Sequence, residues 1–359
     1  MQCNNEEHVN EIKFVCDHLP SWTNVPVDKI TIEKFPFGHS RLTFKVTAAV
    51  PDLTPNPVLL KKFVHPDPQE FELFQKLSDI GWGPKLFYVE GNLRIEQYFD
   101  STVITWKQLS APSVMHALVV KLGQLHSIEG LLKTEKKGFL IKLLEGSVTM
   151  QACKKNLDLD IYTDEEKITV QEIKEAVSEK EVEFLKTVVS DYPLITGHND
   201  IWVGNILLLK NKQDTVLVDY EMMDYNFPGY DVGKLILEPL YERHASNPSY
   251  KFRGIENLMT EEEIKECAKY YLIGKHGIQM QTNKSLEELL KTHYGTDEAV
   301  QEAVLKMYRE IQVGMLMSGY YSMTLGMRVG KNSGFQLDFF QFAKDGLITY
   351  KEFKKRLFQ

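Results

Sequence analysis

The chain lacks most of the features that settle a function class on their own. No stretch of it is dominantly basic, and its formal net charge is −8, which argues against nucleic acid as the main partner. It has only four cysteines, Cys3, Cys16, Cys153 and Cys267, far apart and with no Cys-x-x-Cys pair. That pattern fits a reducing compartment and offers no structural zinc site. The first residues, Met1 to His8, are polar and acidic, so no secretory leader is expected and the protein is expected to be cytoplasmic. The most apolar later stretch, Val313 to Met327, is shorter than a bilayer span and carries Ser318, Tyr320, Tyr321, Ser322 and Thr324. It reads as a buried helix, and no transmembrane segment is expected. There is no internal repeat and no low-complexity tract.

What is present is an ordinary globular composition, 43% hydrophobic and 26% charged, over 359 residues. That length suits two lobes better than one small core. Periodicity predicts a helix over Glu6–Leu19 and strands over Ile30–Phe35, Thr43–Val50 and Val58–Phe63. A helix over Asp67–Ile80 follows, with Phe71, Phe74 and Leu77 on one face, and Gly81-Trp-Gly-Pro84 stops it. A hairpin of Leu86–Glu90 and Leu93–Gln97 completes a small sheet ending near residue 100. Beyond it the helical pattern dominates. A long helix is expected over Ser113–Ile128, with Ala117, Val120, Leu122 and Leu125 inward, and four or more helices after residue 256. The fold class expected is α+β: a small antiparallel-sheet N-lobe over residues 1–100 and a larger, mainly helical C-lobe over 101–359.

The chemistry concentrates in Leu194-Ile-Thr-Gly-His-Asn-Asp-Ile-Trp-Val-Gly-Asn-Ile-Leu-Leu-Leu209 and Val216-Leu-Val-Asp-Tyr-Glu221. Asp200 and Asn205 stand five residues apart on a loop before an apolar run, and Asp219 ends a second apolar run. Strands Ile206–Leu209 and Thr215–Val218, around a turn at Lys210–Asp214, would bring Asn205 and Asp219 to one end. One amide oxygen and one carboxylate, with a nucleotide's phosphates, suffice for Mg²⁺. Asp200 is then left to accept a hydroxyl proton, an order of parts suited to phosphoryl transfer from ATP.

His198-x-Asp200-x-x-x-x-Asn205, then Asp219-x-Glu221, then Tyr225-Asn-Phe-Pro-Gly-Tyr-Asp-Val-Gly233 resembles the choline/ethanolamine kinase family. That family belongs to the wider aminoglycoside-phosphotransferase-like and protein-kinase-like folds. The resemblance covers roughly residues 30–345 and implies a two-lobed kinase-like fold with ATP and Mg²⁺ as cofactors. It makes Asp200, Asn205 and Asp219 the catalytic set, with Asn205 and Asp219 on the metal and Glu221 as a second-site ligand near the substrate. Gly38 and Ser40 fall on the family's glycine-rich phosphate turn, although Phe37 and Arg41 replace its usual Gly and Asn. Lys61 is expected to steady the phosphates, held by Glu70 on the next helix, while Lys62 is solvated. The adenine ring is expected against backbone groups near Glu96 and Gln97. Asp231 is expected to brace the catalytic loop, and His126 to be a satisfied core histidine.

On the acceptor side the family closes an amine pocket with acids and aromatic faces, because a quaternary ammonium donates no ordinary hydrogen bond. Glu238 matches the pocket acid and Phe339 one aromatic face. The departures are Pro239 after the acid, Arg243 at a tyrosine position, and Val313 and Leu316 where the family carries tryptophans. Either Tyr241, Tyr320 and Tyr321 rebuild the aromatic walls or the acceptor is not choline; a primary amine such as ethanolamine depends on them less. The resemblance implies phosphorylation of the hydroxyl of a small amino alcohol, choline and/or ethanolamine, at the first step of phosphatidylcholine or phosphatidylethanolamine synthesis, by a homodimer. Two alternatives remain open at this point: another acceptor, aminoglycoside-like or a sugar, and a non-catalytic pseudokinase that binds a partner.

Overall fold

The computed structural model describes residues 5–35, 41–210, 214–244, 247–331 and 337–359. The expected phosphate turn, with Gly38 and Ser40, lies outside the described residues. The chain forms two compact units, Met1–Thr102 with Leu207–Glu221, and Val103–Ile206 with Met222–Gln359. A single cut near residue 100 therefore does not describe it, because Leu207–Glu221 belongs with the first unit.

The first unit opens with helix α1 (Val9–His18) and strands β1 (Ile30–Lys34), β2 (Arg41–Ala48) and β3 (Val58–Phe63). Helix α2 (Pro68–Asp79) follows, then β4 (Leu86–Glu90), β5 (Leu93–Gln97) and the short β6 (Ser101–Val103). The Asp67 carboxylate accepts from Gln69 N at 2.9 Å and Pro68 fills the first position, a start signal that fixes where α2 begins. Five strands pair antiparallel in the order β1-β2-β3-β5-β4. Successive side chains of a strand point to opposite faces, and here that alternation separates two chemistries. Phe44, Val46, Val58, Leu60 and Ile95 bury one face in a core shared with Ile12 and Val15 of α1. The register Arg41↔Phe63, Thr43↔Lys61 and Lys61↔Arg94 puts the charged positions on the other face. Lys62 points to the α1 side, where its ammonium lies 2.9 Å from Glu11.

The second unit begins with α3 (Trp106–Leu109), α4 (Pro112–His126), α5 (Phe139–Leu144), α6 (Val148–Leu157), α7 (Asp164–Ala176) and α8 (Glu179–Ser190). In α4 the buried stripe is Met115, Leu118, Val119 and Leu122. Ala117, expected inward, is exposed, because the spacing that packs is 115/118/122 and Ala117 sits about 100° away from 118 around the helix. Strand β7 (Ile195–Gly197) leads to the loop of residues 198–205. Strands β8 (Ile206–Leu209) and β9 (Thr215–Leu217) form a sheet in the order β6-β8-β9, and their residues from Leu207 onward belong to the first unit.

The second unit resumes with β10 (Asp224–Asn226), antiparallel to β7, then α9 (Pro228–Leu237) and the hairpin of β11 (Tyr241–His244) and β12 (Asn247–Phe252). It ends with α10 (Glu261–Lys275), α11 (Leu286–Tyr294), α12 (Asp297–Val329) and α13 (Phe339–Phe358). Capping boxes at Thr260/Glu263 and Ser285/Glu288 start α10 and α11. The apolar stretch Val313–Met327 is the buried C-terminal half of α12. Among the described residues no helix is long and apolar enough to cross a membrane.

Candidate active site

The charged face of the first unit is a closed network of ion pairs. Lys61 is buried, and its ammonium lies 2.5 Å from Glu96 Oε1. Arg94 Nε donates to Glu96 Oε2 at 2.9 Å, and its Nη1 reaches Glu70 Oε1 at 3.3 Å. Burial alone would push the Glu96 carboxyl up, but Lys61 and Arg94 outweigh it and hold the group below its ordinary range. The expectation that Glu70 holds Lys61 is therefore corrected. Glu96 projects from the strand paired with β3, on the same face as Lys61, whereas Glu70 is engaged by two guanidinium groups. The backbone N–H of Gln97, expected near the adenine, already donates to Lys85 O at 2.9 Å, and the Gln97 side chain accepts from Lys85 N at 3.2 Å.

The second of those guanidinium groups is Arg41, a residue noted from sequence only as a departure. Its Nη1 lies 3.4 Å from Glu70 Oε1 and 3.6 Å from Glu221 Oε2, and its Nη2 pairs with Asp219 Oδ1. Its place on β2, two residues before Thr43, puts it on the Lys61 face, and that period was the signal available in sequence. Asp219 has φ 71°, a left-handed conformation unusual for a residue with a side chain. Such strain tends to collect at working positions.

In the second unit the loop of residues 198–205 hangs from Asp231 in the first turn of α9. Asp231 Oδ2 accepts from His198 N at 2.6 Å, and Oδ1 accepts from Asn199 N at 2.8 Å. His126 Nε2 sits 3.1 Å from the same Oδ2, and its Nδ1 lies 3.2 Å from the Tyr271 hydroxyl. His126 is thus a buried, satisfied histidine that supports the support. Asn199 takes the left-handed conformation, φ 64°, and donates to Met222 O at 3.0 Å, which ties the loop to the segment entering β10. Held this way, Asp200 receives two bonds from Asn205 Nδ2, at its carbonyl and at Oδ2, both 2.9 Å. Lys234 Nζ approaches Asp200 Oδ1 at 3.2 Å and donates to Asn199 O at 3.1 Å. Lys234 was missed in sequence, although it lies one helical turn beyond Asp231 on the same helix.

Asp200 opens on a cavity of about 160 Å³ whose walls include Trp202, Lys234, Glu238, Tyr241, Arg243 and Phe342. Glu238 is buried and accepts from Val203 N at 3.3 Å. Burial pushes its carboxyl above the ordinary range, against the opposing pull of Arg243 and Lys234. Three acceptor-side expectations need correction. The ring in the wall from α13 is Phe342, one helical turn after Phe339, which packs against it with centroids 6.5 Å apart. Val313 and Leu316 are buried in the core, and α12 faces the cavity with Ser318, Tyr321, Ser322 and Leu325. Tyr320 packs against Tyr350 and is not in the wall, whereas Tyr241 and Tyr321 are.

Among the described residues no group of three or more His, Cys, Asp or Glu is arranged to hold a metal ion. The two expected ligands, Asn205 and Asp219, are each of the oxygen type that Mg²⁺ takes, an ion that completes its shell with water and phosphate. Asn205 uses its amide nitrogen for both bonds to Asp200, and the atom of metal-ligand type, Oδ1, is the other end of that amide. The Asp219 carboxylate is a hard oxygen donor of the kind Mg²⁺ takes, and it is paired with Arg41 here.

A family model described as choline/ethanolamine kinase matches residues 38–351. A human protein named choline/ethanolamine kinase is 26% identical over 286 residues, which cover 75% of this chain and 70% of that one. The rat protein of the same name is 26% identical, with 68% of this chain and 64% of its own length covered. Choline kinase A2 of Caenorhabditis elegans is 24% identical, with 79% and 72% covered. The chain thus spans roughly two thirds of the length of the relatives it matches. A crystal structure of choline kinase from Cryptosporidium parvum Iowa II superposes with a TM-score of 0.73 at 20% identity, covering 97% of this chain and 96% of that one. A Plasmodium vivax ethanolamine kinase gives 0.64 at 15% identity, covering 95% and 86%. These structural likenesses establish the kinase-like fold, and the match to the family model, over most of the chain, establishes more: the chain belongs to the choline/ethanolamine kinase family.

Proposed function

We propose that the chain transfers the γ-phosphoryl group of ATP, with Mg²⁺, to the hydroxyl of a small amino alcohol, choline or ethanolamine. The observation that carries this reading is the pinned Asp200–Asn205 pair opening on a cavity that contains the buried acid Glu238. Asp200 accepts or orients the proton of the acceptor hydroxyl. The hydroxyl oxygen forms the new bond to phosphorus, the bond to the β–γ bridging oxygen breaks, and ADP leaves. Lys234, on the other oxygen of Asp200, keeps the carboxylate oriented for that task. Glu238 attracts the substrate nitrogen. Lys61 steadies the phosphates, with Glu96 holding the ammonium in place. In this reading Asn205 and Asp219 are the protein ligands of Mg²⁺, with Glu221 beside them in sequence. The ion when bound neutralises charge on the phosphate oxygens.

Two family expectations travel with the proposal, a homodimer and a cytoplasmic place at the start of phospholipid synthesis; light scattering on the purified protein tests the first. Turnover is tested with Asp200→Asn. Removing a general base lowers rates about 10²–10⁴-fold, so ADP release with choline and ethanolamine should fall by that order while the thermal shift with Mg-ATP persists. A variant that keeps more than about a third of the wild-type rate would refute the role. An aminoglycoside turned over faster than either amino alcohol would move the assignment to another acceptor.

A further inference from the structure

The acceptor cavity carries its own cation. Arg243 stands opposite Tyr250 in the β11–β12 register. Its guanidinium carbon lies 5.5 Å from the ring centre of Trp202, 5.2 Å from Tyr241, 5.5 Å from Tyr250 and 5.6 Å from Phe342. All four distances are inside the reach of a cation–π contact. The rings come from three separate segments, the catalytic loop, the β11–β12 hairpin and α13. The Trp202 ring crosses Gly204 so closely that a Cβ there would fall 2.3 Å from it. Arg243 Nε stands 3.7 Å from Glu238 Oε2, too far for a hydrogen bond, and this buried N–H meets no acceptor among the described residues. Ring faces and charge, rather than hydrogen bonds at Nε, hold the group.

The charges around the cavity agree. Its charged lining is Asp200 and Glu238 against Lys234 and Arg243. Lys234 sits 3.2 Å from Asp200 and Arg243 sits 3.7 Å from Glu238, so each acid has a cation of the protein's own. A trimethylated nitrogen has no N–H and depends on aromatic faces, and here a guanidinium lies over those faces. A primary ammonium needs none of them. It can donate directly to Glu238, in a charge-assisted bond.

We propose that Arg243 is the specificity-determining residue of the acceptor cavity: its guanidinium fills the four-ring box that a quaternary ammonium requires, and so reserves the cavity for alcohols whose nitrogen can donate hydrogen bonds. The proposal rests on the amino-alcohol kinase reading and names the acceptor class within it. The test compares kcat/KM for ethanolamine and choline in the full chain and in Arg243→Ala, with methylammonium and tetramethylammonium as inhibitors. The wild type should favour ethanolamine and be inhibited by methylammonium in preference to tetramethylammonium. Emptying the box should raise the choline-to-ethanolamine ratio by about tenfold or more, chiefly through the KM for choline, and make tetramethylammonium an inhibitor. An unchanged ratio in a variant that keeps its thermal shift with Mg-ATP overturns the proposal. If Arg243→Ala does not fold, the wild-type inhibitor pattern decides alone, and stronger inhibition by tetramethylammonium overturns it. If neither alcohol turns over, the amino-alcohol reading fails. The box is then read by thermal shift with tetramethylammonium: stabilisation of the variant alone supports the role of Arg243, and stabilisation of the wild type or of neither overturns it.

Discussion

At the scale of single residues, Arg41 ties together the acids proposed to bind metal. One guanidinium serves Glu70, Asp219 and Glu221. A divalent ion at Asp219 has to share that carboxylate with Arg41 or displace it. Arg41→Ala should therefore lower the Mg²⁺ concentration that gives half of the thermal shift with ADP, by several-fold, while the unliganded protein loses stability. Removing one partner of a buried charge cluster typically costs about 3–5 kcal/mol, and the partial exposure of Asp219 and Glu221 puts the expectation at or below the lower end. A half-point that rises or stays would show that Arg41 helps to build the metal site instead. Asp219→Ala should bring the shift with Mg-ATP down to that with ATP and chelator.

Asp231 makes a different residue-level prediction. Burial pushes its carboxyl up, but the bonds from His126 and His198 outweigh this and hold it below the ordinary range. A carboxyl lowered on folding contributes stability that is complete above its unfolded pKa of about 3.9 and is lost as pH falls through the folded value. Between about pH 5 and pH 2 the melting temperature of the wild type should fall more steeply than that of Asp231→Asn. Parallel profiles would mean that the loop is held by geometry without charge.

At the scale of elements, the residues proposed as catalytic depend on how α9 meets α12. A Cβ at Gly314 would lie 1.7 Å from Gly229 O, and one at Gly229 would lie 1.9 Å from Glu310 O. The two backbones touch, and α9 carries Asp231 and Lys234 and runs directly into Glu238. Gly314→Ala has to push the helices apart. Overpacking of this kind costs about 1–3 kcal/mol or more, so denaturant midpoints should drop. Because the displaced helix carries the loop anchor, kcat should fall further than the affinity for nucleotide. A stable variant with wild-type kcat would show that the seam has slack. The same contact explains why the cavity face of α12 was misread. Ser318, Tyr321, Ser322 and Leu325 form one stripe with spacing i, i+3, i+4, i+7, and Val313 and Leu316 lie on the core side. A helix buried nearly all round shows several such stripes in sequence, and only its packing partner selects one.

At the scale of the whole molecule, the elements of the sheet and the loop Asp200–Asn205 were legible because their signals are local: strand alternation and a five-residue spacing. Lys61 was legible for the same reason. Its partner was not, because Glu70 and Glu96 are both within reach of a long side chain and sequence distance does not rank them. Arg41 and Arg243 were seen only as departures from a pattern. Each lies among acids or rings brought together from distant segments, and one sequence carries no trace of that meeting. The division of the chain was half legible: the end of the sheet near residue 100 is local information, whereas the assignment of Leu207–Glu221 to the first unit is a matter of tertiary pairing.

That assignment constrains how the protein can be made. During synthesis the N-terminal sheet leaves the ribosome first, but the segment that completes the first unit is separated from it by the whole of Val103–Ile206. At about 5–20 residues per second the wait is roughly 5–20 s. For that time Arg41 has emerged without Asp219 or Glu221, and β6 without β8. A nascent chain stalled before Leu207 should be digested across its N-terminal sheet by a protease, and one stalled with Glu221 clear of the ribosome should resist. If both resist equally, the early sheet is self-sufficient and the late hairpin is an addition to it. If the difference is found, the enzyme's first unit waits on a segment from the second half of the chain, and the vulnerable interval is written into the order of its segments along the messenger.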